Sequence, residues 1–341
     1  MSTIKDVARL AGVSTSTVSR TLSGRIFVEE ETRRRVLQAV EQLGYQPNIL
    51  ARGLKQGRTY TIAFLVPDIN SLFYPQIMKA LERAAAAKGY SILLCNNDES
   101  TGKEQQALER LTARGIDGVV CMTVADEAQH LVQLKERQKM PIVLINRSLP
   151  EALSSITVDH EEGSYAMTRY LLEHGHRRIA GLFGNFERQR FRSRYAGCKR
   201  AMEEFAVPDY KKNFVYDVNT VEEAYRRASE LLRRPEPERP TAFFASMDVL
   251  AIGIYRAVSE CGLRIPEDIS VVGFDNIEMT QYMMPPLTTY AAPIDELAQH
   301  SVAALLAQMD DPEQTIRETL PGILVERGSV KEYDGSRNQN E

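Results

Sequence analysis

From Thr61 onward the sequence alternates short, uninterrupted apolar runs with longer amphipathic stretches, and few chain organisations accept that pattern. TIAFLV (61–66), YSILLC (90–95), GVVCM (118–122), IVLI (142–145), RIAGLF (178–183), AFFA (242–245) and SVVGF (270–274) read as strands. A strand that is apolar at every position has both faces covered, as in a parallel sheet held between two layers of helix. Helical periodicity fills the gaps: Phe73 to Lys88, Lys103 to Ala113, Ala128 to Gln138, Glu161 to His174, Arg192 to Phe205, Val221 to Arg233 and Asp248 to Cys261. Two successive runs of this kind predict an α/β fold of two doubly wound parallel-sheet subdomains. A ligand is then expected in the crevice outside the carboxyl ends of the strands.

The first sixty residues follow another plan. Val7, Ala8 and Leu10 fall at helical spacing in Ile4 to Ala11, Gly12 permits a tight turn, and Ser14 is a good N-cap for a second helix. That helix, Thr15 to Leu22, turns Val18 and Leu22 inward and leaves Thr15, Ser16, Ser19 and Arg20 outside. Such a pair describes a helix-turn-helix, whose small hydroxyls approach base edges and whose arginine can bind guanine through two hydrogen bonds. A third helix runs from about Glu29 to Leu43 with Val36, Leu37, Val40 and Leu43 as its apolar stripe, and Gly44 ends it. After Pro47, NILARGLKQG (48–57) can make two helical turns capped by Asn48, weakened by Gly53. It reads either as a plain linker or as a switch, folded only against a second copy on DNA.

Charge separates the two parts. Residues 1–60 hold ten Lys/Arg against five Asp/Glu, whereas the remainder holds 32 against 41. A basic head on an acidic body points to a polyanionic partner for the head alone, and duplex DNA is the natural candidate. No apolar run in the 341 residues approaches a membrane span, and the start is too polar for a signal peptide. Cys95, Cys121, Cys198 and Cys261 are widely spaced, which fits core thiols in a reducing cytoplasm rather than disulfides or zinc. G-x-G-x-x-G, P-loop and G-x-S-x-G patterns are absent, and His130, His160, His174, His176 and His300 lack metal-ligand spacing. No enzyme activity, cofactor or metal is expected.

TIKDVARLAGVSTSTVSRTLSG, RRVLQAVEQLGYQPNILARGL, IAFLVPDINSLFYPQIMKALERAAAAKGY and LRIPEDISVVGFDNIEMTQYMMPPLTT carry a closer likeness. In order and spacing they resemble the lactose-repressor (LacI) family over residues 3 to about 328. The resemblance implies a DNA-binding transcriptional regulator whose core is similar to periplasmic sugar-binding proteins. It implies a helix-turn-helix headpiece (1–47), a hinge (48–58) and an effector-binding core (59–334), followed by a disordered tail (335–341). The core divides into an N-subdomain (59–160 and 293–322) and a C-subdomain (161–292 and 323–334), with three crossovers. By the same likeness Thr15, Ser16 and Arg20 read the major groove, Leu54 wedges into the minor groove, and Arg52 and Lys55 add groove or phosphate contacts. Thr3, Ser14, Thr17, Ser19, Asn48 and Ala51 complete the expected DNA-binding set. Glu29, where the family usually has serine, departs from the pattern and weakens the cap of the third helix.

For the effector, the resemblance places Phe73 or Tyr74 against the ligand, although either ring also suits the core. Gly184 to Arg194 reads as a loop bearing Arg188, Arg190, Arg192 and Arg194, of which one or two belong to a solvated face. Arg194 falls at the family's ligand-binding arginine, and Asp275 at its hydroxyl-binding aspartate. Asp248 is either a ligand group or a structural cap; Asn219, Arg147 and Asp159 complete the expected set. Aromatic face, carboxylate and guanidinium suit a sugar, sugar acid or nucleoside. The arginine-rich loop tilts the expectation towards a sugar acid or sugar phosphate, the alternative being a nucleoside- or purine-responsive or global catabolite regulator. The other classes considered are an exported solute-binding protein and an α/β enzyme. The expected partners are an inverted-repeat operator in double-stranded DNA, a small-molecule effector and a second copy forming a homodimer.

Overall fold

The computed structural model describes residues 2–23, 27–45, 58–123, 128–147 and 152–333. Asn48, Ala51, Arg52, Leu54 and Lys55 of the expected hinge, and the tail 335–341, lie outside the described residues. The chain forms two compact units, residues 1–60 and 61–341.

The smaller unit contains α1 (Ile4–Ala11), α2 (Thr15–Ser23) and α3 (Glu30–Leu43). Val7, Ala8, Ala11, Val18, Val36 and Ala39 are its buried core. Leu10 and Leu37, expected inside, are 48% and 44% exposed. Each lies roughly 100° around its helix from the centre of the packed face, so neither reaches the shared core. Thr3 starts α1 by bonding its N–H and hydroxyl to Asp6 at 3.0 and 2.7 Å, which lowers the Asp6 pKa. Gly12, at φ 66°, makes the turn into α2. Glu29 precedes α3 with no side-chain cap hydrogen bond, as its carboxylate suggests.

The larger unit is built on two six-stranded sheets. The first contains β1 (Thr61–Val66), β2 (Ser91–Asn96), β3 (Gly118–Cys121), β4 (Ile142–Ile145), β5 (Ser154–Val158) and the late strand β11 (Arg317–Leu320). Their spatial order is β11-β5-β4-β3-β1-β2, every pairing parallel. Helices α4 (Tyr74–Ala86), α5 (Thr101–Ala113), α6 (Gln129–Gln138) and α11 (Ile294–Asp310) accompany it. The second sheet orders as β12-β10-β9-β8-β6-β7, from β6 (Ile179–Leu182), β7 (Phe214–Val215), β8 (Ala242–Ala245), β9 (Ser270–Asp275), β10 (Thr288–Ala291) and β12 (Ile323–Val325). Its edge strand β12 runs antiparallel to β10. Its helices are α7 (His160–Glu173), α8 (Gln189–Glu204), α9 (Val221–Leu232) and α10 (Asp248–Glu260). No helix among the described residues is long and apolar enough to cross a membrane.

The chain passes between the sheets three times: after β5, after β10, and between β11 and β12. These passages are bonded together, Asp159 N–H to the Leu320 carbonyl at 3.3 Å and Gly322 N–H to the Tyr290 hydroxyl at 2.9 Å. Gly197 marks the tightest helix crossing. A Cβ there would lie 2.0 Å from the Glu161 carbonyl oxygen and 2.7 Å from the Tyr165 nitrogen, so α7 and α8 touch through backbone. Gly197→Ala is therefore expected to cost about 1–3 kcal/mol, the penalty of overpacking a close contact. Urea unfolding checks this: the midpoint falls while the slope is unchanged, and an unshifted midpoint contradicts the contact.

Candidate functional site

Both sheets present their carboxyl ends to one crevice, and the backbone there is unusual. Asn146, one residue past β4, has φ 58°; Asp275, the last residue of β9, has φ 115°; Asp98 and Glu99, beyond β2, have φ 49° and 55°. Non-glycine residues in the left-handed region cost energy, and such residues gather where a side chain must be aimed.

The inner part of the crevice holds about 450 Å³ of atom-free space and opens to solvent. Phe73 and Tyr74, at the start of α4, form one wall; Met247, Val249 and Ile277 form the facing wall. Arg194, Asp275 and Asn146 supply polar groups. Arg194 is only 2% exposed, and its guanidinium bonds Asp275 Oδ1 at 3.0 Å and the Ser246 carbonyl. It stacks 3.7 Å from the Phe274 ring centroid and donates to His160 Nδ1 at 3.4 Å. Burial, then the charges of Arg194 and Arg190, push the His160 pKa well down, so its ring is neutral and accepts. Burial raises the Asp275 pKa and Arg194 opposes it, leaving a paired charge at the floor. Asn146, whose buried Oδ1 has no protein partner, lines the same space.

The outer part, about 430 Å³, shares Met122, Asn146 and Arg190 with the inner one. Arg147 and Glu99 line it from the first subdomain, and Arg188 and Gln189 from the second. Arg147 Nη1 donates to the Thr123 carbonyl at 2.8 Å.

Several expected positions take other roles. The arginines do not share a loop: Gln189 already begins α8, and Arg188 precedes it. On a helix, Arg190 and Arg194 are four apart and face the crevice together, whereas Arg192 turns away to the carbonyls of Phe186 and Glu187. Asn219 is exposed beyond β7, where its Oδ1 accepts the Asn185 N–H at 2.8 Å, and it lines neither part of the crevice. Asp159 caps α7 by accepting the Glu162 N–H at 2.9 Å, within the first passage between the sheets. Asp248 sits beneath the site, accepting the Ile277 N–H at 2.9 Å and the Thr289 hydroxyl at 2.6 Å. That is a structural brace between α10, β10 and the turn after β9. Sequence reasoning passed over Asn146, Met247 and Ile277; the signal for Asn146 was its place directly after the strand IVLI.

In the headpiece, Ser14 Oγ accepts the Thr17 N–H at 3.1 Å, the N-cap geometry expected of it. Thr15, Ser16, Ser19 and Arg20 are exposed along α2, whereas Thr17 is half-buried and its hydroxyl lies 2.9 Å from that of Ser14. Thr3 is exposed beside Asp6 at the start of α1.

Burial, with the neighbouring charge of Asp275, pushes the Asp248 pKa up to about 7. The folded chain therefore keeps a proton between pH 4 and 7 that the unfolded chain releases. Stability is lost as pH rises through that window, by on the order of a few kcal/mol. His176, held neutral by burial with a pKa of about 4, acts in the opposite sense below pH 6.5. The comparison with Asp248→Asn isolates the first effect. Relative to this variant, the native chain is expected to lose melting temperature steadily from pH 4 to 7 and then level off. Parallel melting curves across that range would refute the proton on Asp248.

Comparison with known proteins accords with this anatomy. Residues 3–48 match the model of bacterial regulatory proteins of the lacI family, and residues 168–330 match a periplasmic binding protein-like domain. The chain is 36% identical over 339 residues to the HTH-type transcriptional repressor PurR of Vibrio vulnificus, across 98% of this chain and 100% of the relative. It is 35% identical over 334 residues to PurR of Pectobacterium carotovorum, across 97% of each. Among solved structures, the lac repressor dimer bound to operator and the anti-inducer ONPF matches with TM-score 0.84 and 27% identity, covering 97% of this chain and 99% of that one. A LacI family transcriptional regulator from Enterococcus faecium with bound ribose matches with TM-score 0.71 and 31% identity, covering 80% and 100%. Likeness that runs from the headpiece to the last strands of the core, at more than a third identity to full-length repressors, makes this chain a member of the lacI family of bacterial regulatory proteins, and a transcriptional repressor.

Proposed function

We propose that this repressor binds an inverted-repeat operator as a homodimer in the cytoplasm and that a small hydroxylated metabolite, held in the crevice between its two subdomains, sets its affinity for that operator. One observation carries the reading: a crevice lined from both subdomains, with a buried charge pair and an unpartnered amide oxygen, on a chain that also bears a helix-turn-helix. A ligand that touches both walls binds one relative angle of the subdomains better than another, and that difference in affinity is what shifts the population. The hinge residues Asn48 to Lys55 are the segment through which the change reaches DNA. Thr15, Ser16, Ser19 and Arg20 of α2 are the base-reading group, with Arg20 on guanine.

The dimer reading draws on surface chemistry. Tyr282 and Met284 are 68% and 88% exposed and lie close in sequence to the exposed Met279. Large apolar side chains this exposed are costly to leave in water and suit a second copy. For the effector, the Phe73 and Tyr74 rings and the Asp275 carboxylate suit a sugar or a sugar derivative. The solved relative with bound ribose has the same fold around its ligand. A nucleoside-like effector is the second reading, favoured by the mainly apolar inner walls.

Fluorescence anisotropy with the full chain and labelled duplexes tests the DNA half. Specific affinity is expected to fall steeply between 50 and 200 mM salt, as several phosphate contacts require. Arg20→Ala is expected to weaken operator binding by about 10- to 100-fold while affecting random duplex less, because one guanine contact is worth roughly 1–3 kcal/mol. Equal losses on operator and random DNA would remove Arg20 from base reading. An operator affinity that responds to no metabolite would remove the crevice from regulation.

A further inference from the structure

Arg194 lines the inner part of the crevice, and its guanidinium carries five N–H donors arranged in two flat forks. Both forks are taken. At the end of the group, one Nη2–H goes to Asp275 Oδ1 at 3.0 Å and one Nη1–H to the Ser246 carbonyl. Along its side, Nε–H and the other Nη2–H both point to His160 Nδ1, each at 3.4 Å. Of the five donors, a single Nη1–H has no partner among the described residues.

The His160 ring is fixed from several directions. His160 opens α7 directly after the capping Asp159, is buried, and its ring centroid lies 5.8 Å from that of Phe274. Its backbone carbonyl accepts the Ser164 hydroxyl at 2.8 Å. Burial, then the charges of Arg194 and Arg190, keep the imidazole neutral. A neutral imidazole has one donor and one acceptor nitrogen, so accepting at Nδ1 puts the proton on Nε2. Nε2 is buried, and it comes near the Asn146 backbone without completing a hydrogen bond. A buried donor without a partner is costly and rare, and here it marks a ring whose position is decided by its other nitrogen.

We infer that His160 is a positioning residue for effector recognition. Its Nδ1 occupies the side fork of Arg194, so Arg194 offers the effector a single N–H. The group taken there is a neutral oxygen, a hydroxyl or a carbonyl, rather than a carboxylate or phosphate. This role rests on the crevice being the effector site. A carboxylate or phosphate gains most from arginine when two parallel N–H groups reach two of its oxygens. Here the end fork is divided between Asp275 and Ser246, and the side fork is closed by His160. The Asp275 carboxylate also repels a second anion beside the same guanidinium. One N–H to one neutral oxygen is the contact that remains, and His160 and Asp275 together set the plane from which it points. Arg190, four residues earlier on α8, is a separate contact that His160 does not constrain.

The test uses the full chain, calorimetry and pairs of a neutral compound with its anionic twin: D-glucose with D-glucuronate, D-galactose with D-galacturonate, D-ribose with its 5-phosphate, and inosine with its 5′-monophosphate. The readout is the ratio of the two affinities, because a loss of packing alone weakens both members alike. At least one neutral member is expected to bind. His160→Leu reopens the side fork and is expected to shift that ratio about tenfold or more towards the anion. His160→Asn, whose Oδ1 can replace Nδ1 as the acceptor, is expected to keep the ratio within about threefold of native. Nitrogen-15 spectra of the histidine rings add a readout that needs no ligand, with His160 assigned by its disappearance in His160→Asn. They are expected to show a proton on Nε2 and no titration between about pH 5 and 8. A proton on Nδ1, or an unchanged ratio in His160→Leu, would overturn the positioning role while leaving the crevice as the effector site. If His160→Leu does not fold, a ratio shifted in His160→Asn overturns it instead. A panel in which no compound binds would overturn both.

Discussion

The buried pairing of Arg194 with Asp275 is the contact around which the second subdomain and its ligand crevice are organised. A guanidinium excluded from water needs a carboxylate, a carbonyl and an aromatic face, and Asp275, Ser246 and Phe274 provide them. Asp275 can serve only because the chain leaves β9 through two consecutive left-handed residues, Asp275 and Asn276, and Asp248 braces the turn that follows. Two carboxylates with one buried arginine between them share an unequal charge balance. Burial first, and the Asp275 charge second, are what hold a proton on Asp248 near neutral pH.

Much of this architecture was legible because apolar runs report burial directly. TIAFLV, IVLI and AFFA coincide with β1, β4 and β8 to the residue. Strands whose buried positions carry hydroxyls escaped the same rule. Ser154 in β5 and Thr288 in β10 are fully buried, yet they read as polar. Their hydroxyl oxygens accept the backbone N–H groups of Ile316 and Arg327, so burial costs little. Gln308 on α11 shows the same logic, bonding both the N–H and the carbonyl of Ile142 from inside the first sheet. No periodicity of apolar residues reveals such partners.

The crevice was legible where a rule of topology applied and obscure where side-chain direction decided. Arg147 and Asp275 lie at the carboxyl ends of strands, where topology puts a ligand crevice, and the family likeness singled out Asp275 there. The arginine-rich segment could not be placed that way, because alternate positions converge on an extended loop but diverge on a helix. Knowing that Gln189 begins α8 separates Arg190 from Arg192 at once. Asn219 and Asp159 were placed by likeness to a family, and the local backbone gives each a nearer partner.

The three passages between the sheets lie side by side, with Asp159 bonded to Leu320 and Tyr290 to Gly322. A single connecting strand would let two bodies wander; three laced strands constrain them to a pivot with few soft directions. Such a pivot behaves like a stiff wrist rather than a rope. A joint of that build leaves the two bodies few directions in which to turn against each other.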